Sequence, residues 1–309
     1  MTQPRNPLDS NPPLSRRAFL GGIGAGFVLL AAACRDDKQA KIPKTSTSTE
    51  HDHSTHYHGF GGLEGLTGIL ASGDLYAAAG NRFSFGVVED GKLIRGDGAV
   101  RVGFAPQGSE PKTFVTPTFH GKGLPDDKGV YVTPVDLDRA GEWEATIQLG
   151  GTSTKMPFLV AAKPMVPAPG MRAPKVPSPT TTDPLGVDPI CTRQPACPLH
   201  EISLDDLMGS GKPIALMFST PARCSSRVCG PVLELMLQSM PAYRDRIAFL
   251  HVEIYAGPQD AELVPTLGAW GLQSEPWLFG IKKDGTISSR LDGAFDETEI
   301  VALLDGLVV

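Results

Sequence analysis

Two cysteines, Cys224 and Cys229, lie five positions apart in the second half of the chain. They follow a largely apolar run at 212–219 and precede an apolar pattern of helical period at 232–240. The N-terminus of a helix presents unpaired N–H groups and the positive end of the helix dipole, and both stabilise a thiolate. A thiolate with a second cysteine in reach can exchange disulfides. The spacing therefore predicts a redox pair in which Cys224 attacks and Cys229 resolves, with an inert disulfide as the alternative.

A second pair of cysteines precedes the first one in the sequence. Cys191 and Cys197 have Cys-x5-Cys spacing, and His200 follows three residues later. We predict a structural disulfide between them; the alternatives are a redox pair that passes electrons to Cys224, and a Cys-Cys-His metal site. Four cysteines allow three pairings, and the sequence does not select among them. We expect His251, in the apolar run "FLHVEIY", to be a packed core residue.

Apolar strands alternate with helical patterns from residue 203 onward. The strands are "KPIALMFS" and "IAFLHVEIY", and "WLFGIKKDGTISSRL" predicts a hairpin that turns at Asp284 and Gly285. In the closing helix, Asp296 and Glu299 have the spacing of a capping box. Strands and helices in this order predict a central sheet covered on both faces.

With strand, cysteine pair, helix, X-Pro and hairpin in this order, the chain from about residue 200 resembles the thioredoxin fold, and we assign 190–309 to a thioredoxin-like α/β domain. The "CGPV" that starts at Cys229 is similar to the family's CGPC motif. The tripeptide "EPW" places Pro276 where that family has a cis-proline facing the active sulfur. The resemblance implies a thiol–disulfide oxidoreductase that requires no cofactor, with Pro276 as the third site residue.

The sequence departs from the thioredoxin pattern at several positions. The pair is Cys-x4-Cys, Val232 replaces the second cysteine of the family's motif, and Arg223 replaces the Trp before the first one. The strand "PIALMFS" also lacks the buried Asp that serves thioredoxins as a proton carrier. These departures leave open a second function, that of a non-enzymatic copper-binding or zinc-binding carrier whose disulfides are structural.

The chain from 59 to 163 has a different pattern, made of short alternating runs separated by Gly, Pro and Asp. Trp143, Ala145 and Ile147 alternate with polar residues, which buries one face of a strand. The tetrapeptide "EDGK" at 89–92 predicts a hairpin turn with Gly91 at positive φ. We predict a β-sandwich, and the "AGEWEATIQ" run resembles immunoglobulin-like modules. His120 is expected to be an inert loop residue.

Two segments without apolar periodicity flank the predicted sandwich. Residues 164–189 contain eight prolines in 26 positions, which predicts an extended, semi-rigid linker. Residues 34–58 predict a flexible tether, rich in histidine. Clustered imidazoles can bind copper or zinc, so we name four tether residues as a candidate metal site: His51, His53, His56 and His58.

The N-terminal 33 residues predict an export signal. Arg16 and Arg17, followed by Ala-Phe-Leu, resemble the twin-arginine translocation motif, and the apolar segment 18–33 is short of the roughly 20 residues that span a bilayer. The following "LAAAC" resembles a lipoprotein signal box, which implies lipidation of Cys34 and attachment to a membrane; the alternative is plain secretion, with Cys34 removed or left unpaired.

Composition supports this assignment to the cell envelope, outside the cytoplasm. The formal net charge is −6 and no basic stripe is present, so we expect no nucleic-acid partner. Without Cys34, four of the five cysteines remain, an even number that suits an oxidising compartment. The sequence thus predicts an exported, membrane-anchored protein that exchanges disulfides with extracytoplasmic protein thiols.

Overall fold

The computed structural model describes residues 64–126, 128–257 and 262–309. The predicted signal 1–33, the tether 34–58, the lipidation residue Cys34 and the four tether histidines lie outside the described residues. The described residues belong to one compact unit, His56–Val309. Within them, no helix is both long and apolar enough to cross a membrane.

The first part of the described chain consists of two antiparallel sheets. One sheet has the order β1-β2-β6-β5, with β3 paired to β2, and the other has the order β4-β7-β8. Their bounds are β1 (Leu66–Leu70), β2 (Ala78–Glu89), β3 (Lys92–Leu93), β4 (Val100–Pro106), β5 (Thr118–His120), β6 (Val130–Leu137), β7 (Gly141–Leu149) and β8 (Thr152–Val160).

The two sheets share one apolar core, as the alternating pattern predicts. Phe83 and Phe85 of β2 and Val102 of β4 are fully buried in it, and Trp143 and Ile147 of β7 pack in the same cluster. Burial of large apolar side chains from both sheets provides the main stabilising contribution here. The more specific immunoglobulin-like assignment stays a prediction.

The hairpin between β2 and β3 has the predicted turn. Glu89 pairs with Lys92, so Asp90 and Gly91 form a two-residue loop. Both have positive φ, 47° and 75°, which is the backbone of a type I′ turn. Gly91 adopts this conformation without steric cost, and Asp90 is among the residue types that tolerate it.

The second part is a four-stranded sheet of order β10-β9-β11-β12. β10 is parallel to β9, and β11 is antiparallel to both β9 and β12. The strands are β9 (Ile214–Phe218), β10 (Ala248–Val252), β11 (Trp277–Ile281) and β12 (Ile287–Asp292). The helices are α1 (Leu204–Leu207), α2 (Cys229–Ser239), α3 (Pro265–Trp270) and α4 (Glu297–Val308).

Every residue of β9 and β11 is buried, because apolar side chains cover both faces of this sheet. Phe218 and Phe279 pack with Trp270 of α3 on one face. Met217 and Leu278 pack against α2 and α4 on the other. The order of strands, helices and terminal hairpin agrees with the α/β arrangement predicted from the sequence.

The proline-rich segment 164–189 contains no helix or strand, as its composition predicts. It is nevertheless packed against the second sheet instead of running through solvent. Val166 is 2% exposed, and Gly170 donates to the carbonyl of Ile287 in β12. Ile287 in turn donates to the carbonyl of Met171. Prolines explain the extended backbone, whereas the apolar residues between them explain why the segment packs against the sheet.

Charged side chains connect β2 with the C-terminal elements. The guanidinium of Arg82 donates to both carboxylate oxygens of Glu299 at 2.8 Å and to Oδ1 of Asp292 at 3.1 Å. It also donates to the carbonyls of Asp292 and Ala294 at 2.9 Å.

Only half of the predicted capping box of α4 forms. Oδ1 of Asp296 accepts a hydrogen bond from the Glu299 backbone N–H, while the Glu299 carboxylate binds Arg82.

Candidate functional site

The cysteine pair lies where the sheet and α2 meet, as predicted. Cys224 lies in the loop that follows β9, and Cys229 is the first residue of α2. The N-cap residue of α2 is Val228, whose side chain makes no capping hydrogen bond, so the N–H groups of the first turn remain available to a sulfur. The two sulfurs and a carboxylate oxygen of Glu275 all lie within 4.8 Å of one another.

This environment makes Cys224 the more acidic of the two thiols. The hydrogen bond from Cys229 lowers the pKa of Cys224 to about 5, against the opposing effect of burial. The Ser226 hydroxyl and the backbone N–H groups of Cys229 and Val228 act in the same direction. Burial, followed by the hydrogen bond to Cys224, raises the pKa of Cys229. The arrangement therefore pairs one thiolate with one thiol.

Access to the pair is narrow. Cys224 is 7% exposed and Cys229 is fully buried. They belong to a small apolar cluster that also contains Val130 of β6, with Val132 of the same strand packed against it. The first sheet of the sandwich thus contributes to the apolar surroundings of the pair.

Pro276 adjoins the site, and the Glu275–Pro276 peptide bond is cis. Glu275 is a site residue that sequence reasoning missed, although it lies in the "EPW" tripeptide. Burial raises the pKa of Glu275, and the negative charge on Cys224 raises it further. A carboxyl group with an elevated pKa beside a buried thiol can accept or return a proton.

The second cysteine pair belongs to a different buried cluster. Cys191, Cys197, His200 and His251 are all buried, and their ligand atoms lie within 4.8 Å of one another. The two sulfurs are 3.9 Å apart and not bonded, so the predicted disulfide and the electron relay stay predictions. His251 is a core residue, as expected, but its ring faces the sulfurs. Its position beside the sulfurs could not be predicted from the sequence, because His251 lies 54 residues beyond Cys197.

A third group of ligand-type side chains consists of His120, Asp296 and Glu299. His120 Nδ1 lies 3.1 Å from Oδ1 of Asp296, and although burial opposes it, this hydrogen bond raises the pKa of His120. Arg82 binds Glu299 in the same group. A guanidinium at the centre disfavours a second cation, so this group is an ion-pair network. His120, expected to be an inert loop residue, lies at the end of β5 and takes part in that network.

Comparisons with known proteins give limited information. No protein-family model matches the chain, and no curated protein matches it. Similar solved structures include a Chlorobium tepidum protein described as the thiol:disulfide interchange protein DsbE, with 19% identity over 45% of this chain and 95% of that one, at a TM-score of 0.33.

Two further structures are more distant. A thioredoxin-like superfamily protein shares 18% identity over 35% of this chain and 86% of its own, at a TM-score of 0.28. The superoxide reductase of Nanoarchaeum equitans shares 12% identity over 31% of this chain and 92% of its own, at a TM-score of 0.19. Functional inference for this chain therefore depends on the geometry of its own side chains.

Proposed function

We propose that the protein is a thiol–disulfide oxidoreductase that acts through Cys224 and Cys229. One observation carries the proposal: the Cys224 sulfur lies beside the N-terminus of α2 with the Cys229 sulfur within 4.8 Å, and this environment lowers the pKa of Cys224 to about 5. A thiolate is the form that attacks disulfides, and a neighbouring thiol is needed to release the mixed disulfide. Exposed disulfides or dithiols of other proteins are the substrate class.

In the reducing direction, the Cys224 thiolate attacks one sulfur of a partner disulfide. The partner's S–S bond breaks, a mixed disulfide with Cys224 forms, and the partner's other sulfur leaves as a thiolate. Cys229 then gives up its proton and attacks the Cys224 sulfur, which releases the second partner thiolate. The partner has gained two electrons, and Cys224 and Cys229 end as a disulfide; the same steps in reverse oxidise a dithiol.

Glu275 has a defined task in this scheme. The raised pKa of Cys229 keeps it protonated until the resolving step, when its proton must move to a nearby base. The Glu275 carboxylate is that base, because it lies within 4.8 Å of both sulfurs and its own pKa is raised. Proton transfer to a positioned side chain contributes about 100-fold or more to such a step.

The proposal is tested by trapping. When reduced Cys229→Ser protein is mixed with a purified protein that carries one exposed disulfide, we expect a stable mixed disulfide at Cys224, since no resolving thiol remains. Cys224→Ser is the matched control and should trap nothing. Glu275→Gln should still attack, but its mixed disulfide should resolve about 100-fold more slowly or worse. Equal trapping by Cys224→Ser would contradict the assignment of the attacking sulfur.

The proposed location follows from the sequence alone. We propose that the protein is exported by the twin-arginine route and held at the membrane by lipid on Cys34, so that it meets extracytoplasmic thiols and disulfides.

Metal binding is the second candidate function, and the buried group of Cys191, Cys197, His200 and His251 favours it. That group shares no residue with the Cys224 and Cys229 pair, so the two functions are compatible.

A further inference from the structure

The buried group beside β10 unites two distant parts of the chain. The loop before α1 supplies Cys191, Cys197 and His200, and β10 supplies His251. The backbone N–H of His251 donates a hydrogen bond to the backbone carbonyl oxygen of Leu199 at 3.1 Å. This bond aligns the end of that loop along β10. The four residues are between 0% and 6% exposed. The two thiols and two imidazoles are therefore shielded from solvent and contact one another.

The distances among these side chains are those of a tetrahedral ion's ligands. Zinc bonds are about 2.3 Å long to sulfur and about 2.0–2.1 Å long to nitrogen. In a tetrahedral site with these bond lengths, two ligand atoms are about 3.8 Å apart for a sulfur pair, about 3.5 Å for sulfur and nitrogen, and about 3.3 Å for a nitrogen pair. The S–S distance is 3.9 Å, and Nδ1 of His251 lies 3.3 Å from Nε2 of His200. Three S–N distances are 3.7 Å (Cys191 to His251), 3.4 Å (Cys197 to His251) and 3.2 Å (Cys197 to His200).

The tautomer of His251 is fixed in the form that binds a metal. The Nε2 atom of His251 lies 3.0 Å from the backbone carbonyl oxygen of Ser219 and 2.9 Å from the hydroxyl oxygen of the same residue. A carbonyl oxygen only accepts hydrogen bonds, so Nε2 carries the proton and Nδ1 presents its lone pair to the sulfurs. A hydrogen bond of this kind on the far ring nitrogen is what orients histidine ligands in metal sites.

We infer that Cys191, Cys197, His200 and His251 bind one Zn²⁺ ion in a tetrahedral site. The two thiolates balance the charge of a divalent cation and the two imidazoles are neutral, so the buried site is neutral overall. Binding displaces the two thiol protons. Four protein ligands leave no open position for water or substrate, so the ion is structural and not catalytic. A Cys191–Cys197 disulfide would remove both sulfur ligands and is incompatible with this site.

The ion would stabilise the region from which Cys224 projects. Ser219, which orients His251, directly follows β9 at the start of the loop that leads to Cys224. Thr192, next to Cys191, accepts from the Ala222 N–H at 3.1 Å. Zinc binding would thus join the loop before α1, strand β10 and the redox loop. The inference does not depend on the proposed oxidoreductase activity.

The test is metal content of the full-length, reduced chain purified without oxygen. The tether histidines are first replaced (His51→Gln, His53→Gln, His56→Gln and His58→Gln) so that they contribute no metal. Supplied with ZnCl₂ and then desalted, this protein should retain one zinc per chain. Cys197→Ser and His251→Gln should each lose it, whereas Cys224→Ser, a cysteine outside the group, should retain it in full.

A second measurement keeps the inference testable if a ligand variant fails to fold. Co²⁺ added to the same tether variant should give the intense visible absorption of a tetrahedral ion, together with thiolate-to-metal charge-transfer bands. Chelation of the zinc should lower the unfolding temperature by several degrees in this protein, but not in Cys197→Ser. Absence of zinc in the reduced protein, an octahedral cobalt spectrum, full zinc retention by Cys197→Ser, or retention of copper(I) but not zinc would each overturn the assignment.

Discussion

The rate at which iodoacetamide alkylates Cys224 should vary with pH as for a thiol whose pKa is about 5, far below the ordinary value of 9.0. The rate should be constant above neutral pH and fall to half near pH 5, because only the thiolate reacts. The measurement is the initial rate of modification against pH, with the modified residue identified by mass spectrometry. At pH 7 almost all Cys224 should react as thiolate.

Cys229→Ala is the matched control for this shift. The hydrogen bond from Cys229 is the largest cause of the lowered pKa, so its removal should move the midpoint upward toward 9. Ser226→Ala removes a smaller contribution and should move the midpoint less. A midpoint near 9 in the unaltered protein, or no modification after mild reduction, would contradict the thiolate assignment.

The same shift affects stability in a defined direction. The folded-state pKa of Cys224 is below the unfolded value, so ionisation stabilises the folded state fully above about pH 9. This contribution is lost as the pH falls through about 5. Reduced protein should therefore lose more stability between pH 9 and pH 5 than Cys224→Ser protein does.

Arg82→Ala should destabilise the protein by about 3–5 kcal/mol, the usual cost of leaving buried charges without their partner. The substitution removes five hydrogen bonds and takes the guanidinium away from Glu299 and Asp292, whose side chains are 10% and 9% exposed. Burial already raises the pKa of Asp292, so it would take up a proton more readily without the guanidinium. The free energy of unfolding in urea, followed by tryptophan fluorescence, measures the loss.

Arg95→Ala is the control for this prediction. Arg95 pairs with Asp126 at 2.9 Å, but the Asp126 side chain is fully exposed. Exposed ion pairs contribute less than about 1 kcal/mol, so this substitution should have a small effect. If the two arginine variants unfold at the same urea concentration with equal slopes, the Arg82 network does not stabilise the fold.

The location of Cys224 and Cys229 could be predicted because its evidence is local. An apolar run, two cysteines and a helical pattern are contiguous in the sequence, so the position of Cys224 before α2 follows from the order of residues. The cis-proline was placed by resemblance, and the turn at Asp90 and Gly91 by the backbone preferences of those residue types.

The missed features depend on contacts between distant residues. Apolar periodicity marks His251 as a core residue, but it carries no information about which loop packs beside β10. Likewise, Arg82 and Glu299 are 217 positions apart, and nothing in either local sequence indicates that they pair. The prolines of 164–189 fix an extended backbone, yet the surface it covers is determined by tertiary packing alone.

Glu275 shows a different limit. The thioredoxin resemblance implies a proton carrier within the strand before the cysteines, and that strand contains no carboxylate. The carboxylate instead comes from the residue before Pro276, which the fold brings within 4.8 Å of both sulfurs. A resemblance predicts positions, whereas chemistry requires only that some side chain reach the site.

The reduction potential of the Cys224/Cys229 pair tests the central claim most directly. Equilibration of the full-length protein with glutathione buffers measures it, and Cys224→Ser/Cys229→Ser protein gives the background from the other cysteines. A stabilised thiolate favours the reduced form, so we predict a potential between about −270 and −120 mV, the range of working oxidoreductases. A potential below about −300 mV would instead identify an inert structural disulfide and contradict the account.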